Sequence, residues 1–109
     1  MGSVSFFSLS SPTNSATVGG SSTITGNSAN TVVAENSLRS SLSIAVTQAD
    51  CWIRLLPAST SPTVRKGFPV KAGQTWELPT SWWRALYSGE VSIINAADGQ
   101  SPVVYVTEL

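Results

Sequence analysis

Histidine is missing from this chain of 109 residues, and cysteine occurs once, as Cys51. Without histidine, the Ser/His/Asp and Cys/His arrangements of nucleophilic catalysis are absent. Imidazole metal ligands are absent as well, and one thiol can neither build a structural zinc site nor close an intramolecular disulfide. Cys51 is therefore expected to be a small hydrophobe on the inward face of a strand. Charge is scarce: 11% of residues, six basic and six acidic, for a formal net charge of zero. Nucleic acid requires a basic patch, and so does an anionic membrane surface, so neither is expected as a partner. No apolar run approaches the ~20 residues of a membrane-spanning helix. The N-terminus has no basic n-region, so a signal peptide is not expected. Phe6 stands where a myristoylation signal wants Ser or Thr.

The usual chemical motifs are missing too. There is no Gly-x-x-x-x-Gly-Lys-Ser/Thr phosphate loop and no Gly-x-Ser-x-Gly elbow. The carboxylates Glu35, Asp50, Glu77, Glu90, Asp98 and Glu108 are spread along the chain, whereas glycoside hydrolysis needs two across one cleft. No catalytic residue, cofactor or metal ligand is assigned, and the chain is not expected to be an enzyme.

What is present is β-strand pattern. Hydrophobic residues make up 41% of the chain, enough for a core without metals or disulfides. From Ser40 to Leu56, Leu42, Ile44 and Val46 alternate with Ser41, Ser43 and Ala45. After Thr47-Gln48-Ala49-Asp50 the alternation resumes with Cys51, Ile53 and Leu55. Period-2 alternation marks half-buried strands, and the four-residue break predicts an antiparallel hairpin. Further strands are expected at Ser22–Thr25, Thr31–Ala34, Gly67–Val70, Thr75–Leu78, Glu90–Ile94 and Val103–Glu108. About eight short strands, frequent turn signals and no helix longer than a turn indicate a sandwich or barrel. The expected fold is all-β: an antiparallel β-sandwich, jelly-roll-like, over residues 21–109. Residues 1–20, rich in Ser, Thr, Gly, Asn and Ala, form a separate N-terminal segment. Phe6 and Phe7 would anchor it as an extended arm against a neighbouring subunit, since a solvated tail gains nothing from adjacent phenylalanines. A neutral, weakly charged surface also favours permanent assembly over a free monomer.

All four tryptophans fall after residue 51, and Trp82-Trp83 with Arg84 and Tyr87 is the densest aromatic group. Three readings stand for it: a loop capping the sandwich, a subunit interface, where Trp, Tyr and Arg are enriched, or a sugar-stacking platform. Arg65-Lys66, the one adjacent basic pair, is expected in a solvated loop.

Several of these segments, in this order, resemble a group of small virion proteins of tailed bacteriophages. They are Thr31-Val32-Val33-Ala34 with Asn36, then Arg39 and Ser41-Leu42-Ser43-Ile44. Trp52-Ile53-Arg54-Leu55, Gly67-Phe68-Pro69-Val70, Ala72-Gly73 and Trp76-Glu77-Leu78-Pro79 follow. Gly89-Glu90-Val91-Ser92 and Val104-Tyr105-Val106-Thr107-Glu108 close the pattern. The similarity covers roughly residues 20–109. It implies a β-sandwich on the virion, at the capsid surface, as a decoration (cement) protein or a fibre-type module. Such proteins commonly form homotrimers. The partners implied are the phage major capsid protein and further copies of the chain, with Phe6, Phe7, Trp82, Trp83 and Tyr87 as interface residues. The alternative is a host-glycan-binding module of a tail or fibre, with Trp82, Trp83 and Tyr87 stacking on sugar rings and Glu77 or Asp98 accepting hydroxyl hydrogen bonds.

Overall fold

A computed structural model describes residues 21–79 and 86–109. The described residues form eight strands: β1 (Ser21–Thr23), β2 (Asn30–Val33), β3 (Leu42–Thr47), β4 (Cys51–Arg54), β5 (Phe68–Val70), β6 (Thr75–Glu77), β7 (Val91–Asn95) and β8 (Val103–Glu108). No helix occurs among the described residues. Two antiparallel four-stranded sheets result, in the orders β1-β8-β3-β6 and β2-β7-β4-β5. The expected sandwich of short strands is present.

The pairing is nested. β1 pairs with β8, β2 with β7, β3 with β6 and β4 with β5, all antiparallel. The ladders β3–β8 and β4–β7 then complete the two sheets. Every link between successive strands changes sheet except β4 to β5.

One expectation is overturned here. β3 and β4 do not form a hairpin, because they lie in different sheets. The link turns a corner instead. Ala49 N–H donates to Thr47 O at 2.8 Å with Gln48 at φ 74°, the geometry of a tight γ-turn. Asp50 then ties the corner to two other loops: its carbonyl accepts from Ala96 N–H at 3.1 Å, and its Oδ1 accepts from Ala72 N–H at 2.9 Å. Local alternation states which face of each strand is apolar. A hairpin and a corner share that pattern, so it cannot say whether two strands share a sheet.

The alternation itself is realised as read. Leu42, Ile44 and Val46 of β3 and Cys51 and Ile53 of β4 point into one core. They meet Val91 and Ile93 of β7, Val104 and Val106 of β8, and Trp76 of β6. Ile44, Ile53, Val91, Ile93 and Val104 are fully buried. At ~25 cal/mol per Å² of apolar surface, this shared layer is the main reason the sheets stay together. Phe68 and Trp76 close one side of it, with ring centroids 5.4 Å apart.

β7 is buried on both faces. Val91, Ile93 and Asn95 face the core side, while Ser92 and Ile94 face outward yet are equally inaccessible. The loop over residues 55–66 passes over Ser92. Ser92 Oγ donates to Leu56 O at 2.8 Å, and Ala29 N–H donates to Pro62 O at 2.7 Å. The loop returns to β5 through Gly67 at φ 104°, where a Cβ would stand 2.2 Å from the Ile53 carbonyl oxygen. Glycine is therefore required at that return.

Candidate functional site

The two ends of the sandwich are built from polar networks, and they differ in what they hold. At one end, Asn95 is fully buried. Its Nδ2 donates to Gly26 O at 3.2 Å, Asn27 Oδ1 at 3.0 Å and Gln100 O at 3.0 Å. Arg65 approaches from the 55–66 loop and donates to Asn95 O at 2.7 Å, Asn95 Oδ1 at 2.9 Å and Asp98 Oδ1 at 2.7 Å. Arg65 is thus a partly covered cross-link between loops, which corrects the expectation of a solvated basic pair. Its neighbour Lys66 is exposed as expected.

At the other end, Arg39 organises three segments. Its guanidinium donates to Glu108 Oε2 at 2.7 Å, Tyr87 O at 2.9 Å, Gly89 O at 3.1 Å and Ala34 O at 2.9 Å. The turn that carries it is held by Asn36: Leu38 N–H donates to Asn36 Oδ1 at 2.9 Å, and Asn36 N–H donates to Ser88 O at 2.8 Å. Leu38 tops this braced turn and is 78% exposed. Leu109 lies at the same end, its carbonyl accepting from Ser40 and Ser41.

Tyr87 belongs to this end. It is half-buried against the core, and its hydroxyl donates to Glu90 O at 2.7 Å. Burial pushes the phenol above the usual tyrosine range, with the Arg39 guanidinium opposing the shift. A Cβ on Gly89 would meet the Tyr87 hydroxyl at 2.5 Å, so the ring lies directly over that glycine. Pro79 and Leu86, which flank residues 80–85, also belong to this end. Trp82 and Trp83 lie outside the described residues, as do Phe6 and Phe7. Of the five expected interface residues, the structure places Tyr87 alone.

The carboxylates do not converge. Glu108 is engaged by Arg39, Asp98 by Arg65, Glu90 accepts from Thr31 Oγ1, and Asp50 holds Ala72 N–H. Glu77 sits beside Ser43 and Thr107 on the outer face of its sheet. Asp98 belongs to the Asn95 end, whereas Glu77 pairs with Ser43 on the outer face of the other sheet, so the structure does not bring these two carboxylates together. No group of three or more His, Cys, Asp or Glu side chains that could hold a metal occurs among the described residues. No helix among them is long and apolar enough to cross a membrane.

Cys51 is buried, as expected. Burial, reinforced by the charge of Asp50, pushes its thiol up to about 12 from an ordinary 9.0. The folded protein holds the neutral thiol, so its contribution to stability is complete below pH 9.0 and is lost as pH rises from 9.0 towards about 12. Wild type should lose stability over that window faster than Cys51→Ala, by up to about 1.4 kcal/mol per pH unit. Urea midpoints of both proteins across the range check this, and parallel pH profiles would refute it.

Sequence reasoning passed over Arg39, Arg54 and Asn95 as working residues. The signal for Arg54 was legible: a single arginine inside the apolar run Cys51-Trp52-Ile53-Arg54-Leu55-Leu56 must be paired or caged if that run is buried. Asn95 had no such signal, because its partners come from three separate loops.

The outer faces of the two sheets also differ. That of β2-β7-β4-β5 is roofed by the 55–66 loop. That of β1-β8-β3-β6 presents Ser43, Ala45 and Thr47 of β3 and Val103, Tyr105 and Thr107 of β8. Glu77 is the only charged residue at outward positions of its four strands. Comparisons with protein-family models, with curated proteins and with solved structures return no match to this chain.

Proposed function

We propose that this chain is a structural virion protein: a capsid decoration (cement) protein that assembles as a homotrimer, binds the phage major capsid protein and stabilises the shell. The observation that carries the reading is the nested pairing of the eight described strands, β1 with β8 and so inward, across two sheets. Rolling a long antiparallel hairpin into two sheets yields that order, which supports a jelly roll, an architecture found among viral capsid domains. This part of the argument is an analogy of fold.

The residues add a physical rationale. Four of the six carboxylates and three arginines, Arg39, Arg54 and Arg65, are consumed in bracing loops, which leaves a scaffold with little free charge. Binding would come from apolar burial with few charges to desolvate. Contacts repeated over a trimer reinforce one another through multivalency. The contact residues are Phe6, Phe7, Trp82, Trp83 and Tyr87.

The test uses purified capsids titrated with the full chain and with a chain lacking residues 1–20. The full chain should saturate and raise the temperature at which shells open. The truncated chain should lose occupancy at least about tenfold, the loss of a few apolar side chains. Absence of saturable binding, or binding that leaves shell opening unchanged, refutes the cement role. Undiminished occupancy after truncation refutes the role of the arm.

A further inference from the structure

The chain contains one Asp-Gly pair, Asp98-Gly99, and no Asn-Gly pair. An Asp-Gly pair carries a reaction that needs no enzyme. The backbone nitrogen after the acid attacks the side-chain carboxyl carbon. A C–N bond forms, a C–O bond breaks, and water leaves with the carboxyl OH and the amide hydrogen. Water then opens the five-membered succinimide at either carbonyl. One opening restores aspartate, and the other leaves isoaspartate, whose main chain runs through the former side-chain carboxyl. Water is lost and regained, and nothing is oxidised or reduced. Glycine at the second position favours closure because it has no Cβ and rotates freely.

Burial does not protect this pair. Asp98 and Gly99 lie in an exposed turn, and the Asp98 side chain is 77% exposed. Its reacting groups are nonetheless held at three points. Gly99 N–H, on the attacking nitrogen, donates to Asn27 Oδ1 at 2.9 Å. Asp98 Oδ1, on the carboxyl under attack, accepts from Arg65 Nη2 at 2.7 Å. Gln100 N–H donates to Ala97 O at 3.3 Å with Gly99 at φ 84°. That is a type II turn, in which Asp98 is extended, with ψ of about +120°. Ring closure requires the Asp98 Cα–C bond to rotate until Cβ eclipses Gly99 N, and that rotation breaks the turn.

The three restraints share one anchor, the buried Asn95. Its Nδ2 donates to Asn27 Oδ1 and to Gln100 O, each at 3.0 Å. Its Oδ1 and backbone O accept from Arg65 at 2.9 Å and 2.7 Å. We propose that Asp98-Gly99 is a latent isoaspartate site, which Asn27, Arg65 and Asn95 hold closed in the folded protein. Conversion would add a methylene to the main chain at position 98. It would displace Gly99 N–H and Gln100 O from their partners and loosen this end of the sandwich.

The experiment incubates the full chain, its Asn27→Ala and Arg65→Gln variants and a synthetic peptide of residues 95–102. The pH is neutral, and circular dichroism shows each protein folded at the chosen temperature. Isoaspartate at position 98 is followed by enzymatic carboxyl methylation and by mass spectrometry of the digest. The wild type should isomerise at least about tenfold more slowly than the peptide, the effect of one or two hydrogen bonds. Each variant should react at least about threefold faster than the wild type. Arg39→Ala, which loosens the opposite end, should remain as slow as the wild type. A wild-type rate equal to that of the peptide would overturn the proposal. So would wild-type rates in both variants, or equal acceleration by Arg39→Ala, which assigns the protection to global stability. If Asn27→Ala does not fold, Arg65→Gln decides.

Discussion

Replacing Arg54 by methionine should lower the stability of this protein by about 4 kcal/mol and open the 55–66 loop. The side chain is fully buried and no carboxylate touches it. Backbone carbonyls hold it: Nη1 donates to Ser61 O at 2.7 Å and Val64 O at 3.1 Å, and Nη2 donates to Pro57 O at 3.2 Å and to Thr60 O. Nε has no partner among the described residues. Desolvation pulls the guanidinium below its ordinary range. The loop has no strand ladder of its own over these residues, so the guanidinium is the template on which it folds. Methionine fills similar volume but leaves Thr60 O and Val64 O without a donor, while Pro57 O and Ser61 O keep the N–H groups of Thr60 and Val64, at ~1–3 kcal/mol for each orphaned carbonyl that stays buried. The loop can relieve this by turning its carbonyls to water, which uncovers Ser92. The cost of undocking therefore caps the total, near the ~3–5 kcal/mol typical of breaking a buried charged network.

Two measurements check the result. The denaturation midpoint should fall, and trypsin should cut after Arg65 and Lys66 under native conditions at least about tenfold faster than in wild type. Lysine at position 54 should not rescue, because an ammonium lacks the planar fork that reaches carbonyls on both sides. Wild-type resistance to trypsin in Arg54→Met would refute the template role.

Arg39→Ala should cost about 3 kcal/mol, by the same reasoning about a broken buried network. For a domain of this size that is a fall in melting temperature of roughly 12–18 °C. The substitution releases Ala34 O, Tyr87 O and Gly89 O, and leaves Glu108, whose side chain is 15% exposed, without its partner. Glu108→Gln keeps an acceptor for Nε and should cost about 1 kcal/mol. If the two residues act as one unit, the double substitution should cost less than the sum of the singles. The consequence reaches beyond stability. Arg39 clamps the backbone at Tyr87 and Gly89, directly after the segment carrying Trp82 and Trp83, so Arg39→Ala should also reduce capsid occupancy at temperatures where the protein remains folded. Unchanged melting would refute the clamp, and unchanged occupancy would separate it from binding.

Arg39 and Arg54 also show why some of this protein was readable in advance and some was not. Strand positions and inward faces follow from neighbours two residues apart. Leu42, Ile44, Val46, Cys51 and Ile53 could therefore be assigned to the core, and Cys51 to packing rather than reaction, from spacing and composition. The expected interface residues rested on aromatic content, and four of the five lie outside the described residues. The hairpin at Thr47–Asp50 failed because register between strands depends on partners far away in sequence, such as Val103–Glu108 for β3.

The amino-acid order was thus sufficient for an all-β sandwich of about eight short strands, a core built from alternating apolar residues, and the absence of histidine-based chemistry. These depend on side-chain periodicity and inventory, which are local. Packing of the whole chain set the nested sheet order, the corner at Gln48, the carbonyl cage around Arg54 and the clamp of Arg39. Each of these arises from groups distant in sequence satisfying buried polar atoms or covering apolar ones, and such pairings exist only once the two sheets have closed on each other.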